Sequence, residues 1–321
     1  MNELKDFLIP YLVSQAFSLI LLGLAWKKPV AARYIFAVLF LGAGLFNWYT
    51  SMTTPEAYLM YTKTAIPLYK DLLNGWVGRN LQVIVPAIAT CQLLIGAGMF
   101  TGGRGLAWGC LGIILFLTGI APLGVGSAFP FSITVSVAAF LVYRHWQLRW
   151  GATREEFDMP LPGDELVLKA DFKATRAITI RNVPDNIFRW IVQIGSKRAG
   201  WYSHDRIDNG GTPSSRTLLP EWQQIEKGQF IPFTPDQKNG MWVRDFEPGR
   251  FILWEDKKGK ASWLWWLQPL SPTETRLITR LRTRYDWKSF WIIYYLIYDI
   301  GDIVMMSACM KGIKERAETR A

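Results

Sequence analysis

The chain has 321 residues, half of them hydrophobic, with 16 Trp and a formal net charge of +10. This length suits two domains, while three Cys and two His are too few for a zinc centre or a disulfide scaffold, so neither metal nor cofactor is expected. Residues 1–150 carry ten Lys/Arg against four acids, with the bases lying between long apolar runs; that pattern points to a membrane rather than to nucleic acid.

The apolar runs come first. Residues 7–26 form an uncharged stretch long enough to span a bilayer. Lys27 and Lys28 follow directly, which suits a retained anchor better than a cleaved signal peptide. Further runs cover 34–52 and 81–100. The uncharged stretch 106–143 is too long for one helix, and Pro122, Gly124, Gly126 and Pro130 divide it into spans at 106–122 and 127–143. Five spans place Lys27, Lys28 and Arg33, the link with Arg104, and the basic segment 144–150 on one side. The positive-inside trend makes that side cytoplasmic. The expected location is the cell (inner) membrane, multi-pass, with the N-terminus and the 53–80 loop outside. Asn47, a polar residue inside a span, is either a functional group or a partner in a helix–helix hydrogen bond.

From about 33 to 143, the stretches RYIFAVLFLGAGLFNWYTS, PEAYLMY, LLIGAGMF and PLGVGSAFP resemble the DoxX-like family of small four-helix membrane proteins. The resemblance implies a four-helix unit, here with one helix in front, and no particular reaction.

Residues 151–172, with Gly151, Pro160, Pro162 and Gly163 among charges, read as a linker. A period of two then begins at Ala177–Arg181, a strand. Pro184 opens a helix with Ile187, Trp190, Ile191 and Ile194 on one stripe. Strands are expected at 229–233, 241–246, 250–254, 262–268 and 275–285, and a long apolar segment closes the chain from 289 to about 316. Strand, helix, antiparallel strands and terminal helix are the order of a helix-grip fold, in which a curved sheet wraps a long helix around a cavity. The segments ATRAITIRNVPDNIFRWIVQIG, GWYSHDRIDN, LLPEWQQIEKGQFIP, DFEPGRFILWE and WLWWLQPLSPTETRLITRLR resemble the START-like or SRPBCC superfamily, which includes polyketide cyclases and lipid-transfer domains. This chain departs from the family pattern at His204 and Gln229. The expected whole is a membrane α-helical bundle (1–150) joined to an α+β helix-grip domain (173–321).

Alternation assigns faces in the last strand. Thr275, Leu277, Thr279, Leu281, Thr283 and Tyr285 suit a cavity wall, and Arg276, Arg280, Arg282 and Arg284 an outer face, meeting either anionic headgroups or acids on neighbouring strands. Trp263, Trp265 and Leu267 share one face of the preceding strand. Leu264 and Trp266 share the other, where a greasy neighbour such as the membrane interface is expected. Residues 290–310 have the length of a span, but Asp299 and Asp302 lie inside the segment, which argues for the terminal helix of the soluble domain. The two acids, three apart, share a helix face and either bond a hydroxyl or Arg in the cavity or form a polar surface stripe.

The function expected is membrane-anchored binding of a lipid or an apolar small molecule. The alternatives are a cyclase- or dehydratase-type enzyme in the same cavity, or an adaptor subunit, and a homo-oligomer or a membrane-protein partner is open. Ligand-binding candidates are Arg198, Trp201, Tyr202, Asp205, Trp242, Trp265, Leu277, Thr279 and Asp299. Catalytic candidates are Tyr202, Asp205 and His204, with Glu221 and Arg198 as further acid–base groups. The Ser203-His204-Asp205 run is no triad, because neighbours along a chain cannot converge on one point.

Overall fold

The computed structural model describes residues 2–287 and 292–319, with the side chains of 2–7, 292–298, 300 and 303 outside that description. The chain divides into two compact units, Met1–Trp146 and Gln147–Ala321.

The first unit is helical: α1 (Asn2–Lys27), α2 (Pro29–Thr53), a 3-10 helix (Pro55–Lys63), α3 (Pro67–Asn74), α4 (Trp76–Arg79), α5 (Leu81–Phe100), α6 (Gly103–Ile120), a second 3-10 stretch (Ala121–Ser127) and α7 (Phe131–Leu148). Among the described residues four segments are long and apolar enough to cross a membrane: Leu8–Lys27, Pro29–Thr53, Leu81–Phe100 and Gly103–Ser127. The expected fifth span falls on α7, whose last turns carry Arg144, His145 and Gln147; it is not one of those four. Val38, Phe46, Val83, Leu94, Trp108 and Leu115 point outward and are exposed, whereas Phe36, Ala37, Ala89, Met99 and Ile113 are buried. An apolar exterior around an apolar interior is what a lipid-facing helix needs, since its backbone is satisfied within the helix.

Helices α2 and α5 pack through small residues. A Cβ on Gly96 would lie 2.9 Å from the Leu41 amide nitrogen and 3.0 Å from the Ala37 carbonyl, and one on Gly44 would lie 3.0 Å from the Ala89 carbonyl. Two glycines thus permit backbone approach where apolar packing alone gives little drive for association. Asn47 donates to Gln92 Oε1 at 2.8 Å, and the Tyr58 hydroxyl donates to Asn47 Oδ1 at 2.8 Å. Of the two readings of Asn47, the structure supplies the helix–helix hydrogen bond.

The second unit begins with α8 (Arg154–Asp158). It continues through β1 (Phe172–Ile180), α9 (Pro184–Val192), α10 (Asp205–Asp208), a 3-10 turn (Pro220–Trp222), β2 (Phe230–Pro232), β3 (Gly240–Glu247), β4 (Phe251–Glu255), β5 (Ala261–Ser271), β6 (Glu274–Thr283) and α11 (Ile292–Glu318). The six strands form one antiparallel sheet in the order β1-β6-β5-β4-β3-β2. Hairpins link β2 to β6 in sequence, and β1 closes on β6, with Arg176 opposite Thr279. The inner face of the sheet, α9 and the second half of α11 share one core: Phe172, Ile180, Ile187, Ile191, Trp254, Trp265, Leu277, Met310 and Ile313 are all essentially inaccessible. α11 therefore packs as a core helix over residues 306–317. The start of the terminal segment, residues 289–291, and the lipid contact expected near it lie outside the described residues.

The outer face corrects three expectations. Residues 151–172 are not a free linker but a strap laid on the sheet. A capping box between Thr153 and Glu156 starts α8. Leu161 is buried with Ala177, Leu253, Leu264 and Ile278, and Met159, Leu166, Phe251 and Trp266 pack around them. Gly163, at φ +89°, lies so close to the sheet that a Cβ would lie 2.5 Å from Leu253 Cδ1. The greasy neighbour of Leu264 and Trp266 is this strap, rather than a membrane interface. The arginines of β6 are covered as well. Arg280, only 2% exposed, donates to Asp164 Oδ2 (2.7 Å) and to the carbonyls of Met159, Glu156 and Phe157. Arg282 reaches Asp164 Oδ1 and the Val167 carbonyl, and Arg276 is bidentate on Glu156. Their acidic partners, Glu156 and Asp164, are on the strap rather than on neighbouring strands, while the hydroxyls of Thr175 and Thr179 on β1 accept from Arg280 and Arg276; only Arg284 of the four is exposed.

Candidate functional site

The inner face of β5 and β6 curves past α11 without filling all the space. A cavity of about 300 Å³ opens there, lined by Trp201, Ser203, Ile207, Asp208, Phe233, Thr234, Pro235, Trp263, Leu281, Gly301, Asp302, Met305, Met306 and Cys309. Period-two alternation puts Trp263 and Leu281 on the wall, and helical spacing aligns Asp302, Met305, Met306 and Cys309. Trp201 and Trp263 stack in parallel with centroids 5.8 Å apart, and Phe233 meets both edge-on at 5.4 and 5.7 Å. Larger hollows lie elsewhere on this unit. The largest, about 910 Å³, runs past Arg181, Arg189, Arg216, Glu315 and Glu318, charges that already pair in part with one another.

One end of the cavity is built by the GWYSHDR segment. Gly195 and Gly200 bridge to each other, and Gly200, at φ +81°, brings the chain against Ser214, whose Cα would lie 2.9 Å from a Cβ there. Tyr202 also adopts a left-handed backbone, φ +55°, an uncommon state for a non-glycine residue. It is held by its amide donating to Ser214 Oγ and by α11, where the backbone of Gly312 passes too close to Tyr202 for any Cβ.

The Tyr202 hydroxyl accepts from Gln193 (2.8 Å) and donates to the Trp190 carbonyl (3.1 Å); burial pushes its pKa up. Asp205 accepts from the Ser214 amide (2.9 Å) and hydroxyl, pinning the loop that follows α10. His204 is exposed. Arg198 donates to the Val192 carbonyl at 2.7 Å and lies over the Trp222 ring; burial lowers its pKa to about 10. Glu221 is exposed on the 3-10 turn. Trp265 and Leu277 are in the core beyond the cavity, and Thr279 accepts from the Trp263 indole at 2.7 Å. Trp242 is on the opposite face of β3 from Met241 and Val243 and packs on Phe230. Alternation along the strand makes it an outer residue, so its assignment to the cavity is corrected. Asp299 is buried and receives the Tyr285 hydroxyl. Asp302 forms a bidentate pair with Arg176, at 2.6 and 3.2 Å. These two acids are thus bonded inside the domain, with no surface stripe. Of the nine ligand-binding candidates, Trp201 alone lines the cavity. The three catalytic candidates do not converge.

Sequence reasoning missed Asp208. It is 6% exposed, lines the cavity, and has both carboxylate oxygens without a hydrogen-bond partner among the described residues. Burial first, then the nearby Asp205, raises its pKa; the Ser203 hydroxyl and the His204 backbone pull it back but do not meet hydrogen-bond geometry. The Trp201 indole N–H is likewise buried and unpartnered. Cys309, close to Asp208, is fully buried and its thiol is pushed up by desolvation, so it is a packing residue rather than a thiolate nucleophile. A carboxyl whose pKa is raised on folding binds its proton more tightly in the native state, so stability falls as pH rises from the ordinary carboxylate range through the raised value. Asp208→Asn removes this loss. Thermal unfolding across that range shows the wild-type melting temperature falling relative to the variant, then a constant gap above it.

No protein-family model matches the sequence, and no curated protein matches it. The class that fold and site define is coarser: apolar helices long enough to cross a membrane, followed by an antiparallel sheet with a long C-terminal helix. Among solved structures, the chain is similar to a conserved protein of unknown function from Enterococcus faecalis, at 13% identity and a TM-score of 0.30, over 49% of this chain and 81% of the other. It is also similar to a polyketide-cyclase-like protein from Corynebacterium glutamicum, at 17% identity and a TM-score of 0.26, over 45% of this chain and 86% of the other.

Proposed function

We propose that the protein is a membrane-anchored binder of a hydrophobic small molecule, held in a helix-grip cavity of a cytoplasmic domain. The observation that carries this reading is the cavity between the sheet and α11, walled by Trp201, Phe233, Trp263, Leu281 and Met306 with few polar groups, the usual chemistry of a small-molecule site. The resemblance of the second half to START-like domains agrees with it. The anchor supplies access to ligands that partition into lipid. In this reading α7 is a fifth span, and the basic links at Lys27–Arg33, Arg104 and 144–150 face the cytoplasm. The three residues that the sequence offers for catalysis do not act in this cavity: Tyr202 and Asp205 are spent on structural hydrogen bonds and His204 is exposed.

The test is native mass spectrometry of the full chain released from lipid nanodiscs. A reproducible small-molecule adduct is expected, and Leu281→Trp, which puts bulk into the cavity, removes it. Because the added atoms fill existing space, the melting temperature stays within a few degrees. An adduct that persists in Leu281→Trp places the ligand elsewhere and overturns the reading. A stoichiometric protein partner with no adduct overturns it in favour of an adaptor.

A further inference from the structure

Nearly every polar group on the cavity wall is already committed. Asp302 is engaged by Arg176, the Ser203 hydroxyl donates to the Met305 carbonyl at 3.1 Å, and Thr234 donates to Asp236. Two groups are not: the Asp208 carboxyl and the Trp201 indole N–H, each on a residue that is more than nine-tenths buried and lines the cavity. Leaving a buried polar group without a partner forfeits its hydration with nothing in return, and native proteins seldom leave two in one cavity unexplained. The geometry points to a ligand with a neutral hydroxyl at one end of a compact apolar body, the hydroxyl meeting Asp208 and Trp201. This inference rests on the cavity being a ligand site and names the class of ligand.

The two groups select the chemistry. An indole N–H is a donor only, so it needs an acceptor from the ligand. A carboxyl that burial holds towards its neutral form both donates and accepts. A hydroxyl, donor and acceptor together, serves both. An ammonium group has no acceptor and leaves Trp201 unsatisfied. A carbonyl accepts from Trp201 and from the protonated oxygen of Asp208 but leaves the other Asp208 oxygen without a donor. Size sets the body: an engineered apolar cavity of about 150 Å³ holds one benzene, so a cavity of about 300 Å³ suits two fused rings or a chain of similar bulk.

Isothermal titration of the full chain in nanodiscs tests this with 2-naphthol, naphthalene and 1-naphthylmethylammonium as probes, with empty nanodiscs subtracted. We expect 2-naphthol to bind at least tenfold more tightly than naphthalene. Asp208→Leu abolishes that preference while leaving naphthalene binding in place, and Trp201→Phe reduces it several-fold. Equal binding of 2-naphthol and naphthalene, or a preference that survives both variants, overturns the hydroxyl assignment and leaves the cavity as a site. Tighter binding of the ammonium probe overturns it in favour of a cation site. If no probe binds, the cavity reading itself falls. Should Asp208→Leu unfold, Asp208→Asn and Trp201→Phe carry the comparison.

Discussion

Replacing Arg176 by Met lowers the stability of the second unit by about 3–5 kcal/mol, because it leaves the Asp302 carboxylate buried without its counter-charge. Both side chains are almost fully enclosed, at 1% and 5% exposure, and the pair is bidentate. Arg176 Nε also donates to the Gln147 carbonyl at 2.9 Å, a carbonyl that accepts from the Trp150 amide as well. The expected fall in melting temperature is on the order of 10 °C, read by scanning calorimetry of the full chain in nanodiscs. The double variant Arg176→Met, Asp302→Leu recovers most of it, since replacing a whole buried ion pair with apolar groups of similar volume is often neutral. If the single variant is as stable as the wild type, Asp302 is not dependent on Arg176.

This pair also shows where the sequence was readable and where it was not. Arg176 and Thr279 are register partners on β1 and β6, and the phase of each strand follows from alternation, so the division of β6 into a Leu/Thr face and an Arg face was legible. So was the stripe of Ile187, Trp190 and Ile191 on α9, with Ile194 two residues past its end, all buried. What covers a face is a tertiary fact, and no local period contains it. The strap at 151–170 has the Pro, Gly and charges of a linker, yet its charges are the partners of Arg276, Arg280 and Arg282. The cavity residues were missed for a related reason. Trp263 was legible as a neighbour of Trp265 on one face, but which of the two borders empty space depends on curvature. Asp208 is in a helix of four residues, too short for any period to announce. Trp242 has the phase opposite to that of Met241 and Val243, which are in the core, so alternation along β3 takes it out of the cavity.

The strap supplies the second large effect. Arg280→Leu is expected to detach residues 153–168 from the sheet, raising amide hydrogen exchange there by a hundredfold or more while β3 and β4 keep their protection. The guanidinium makes five hydrogen bonds, to Thr175 Oγ1, Asp164 Oδ2 and the carbonyls of Met159, Glu156 and Phe157. Without it Asp164 retains Arg282 and the Leu161 amide, the Phe157 carbonyl retains Lys173, and the half-buried carbonyls of Met159 and Glu156 lose this donor. A hundredfold change corresponds to about 2.8 kcal/mol, within reach of a charged, multiply bonded group. Arg280→Lys rescues little, because a single ammonium with three donors cannot occupy a planar fork that spans five acceptors. Opening the strap also uncovers Leu253, Leu264 and Ile278, so the variant should self-associate in detergent more than the wild type does. Unchanged exchange at 153–168 would mean that the apolar contacts of Leu161, Met159 and Leu166 hold the strap by themselves and that the arginines only decorate it.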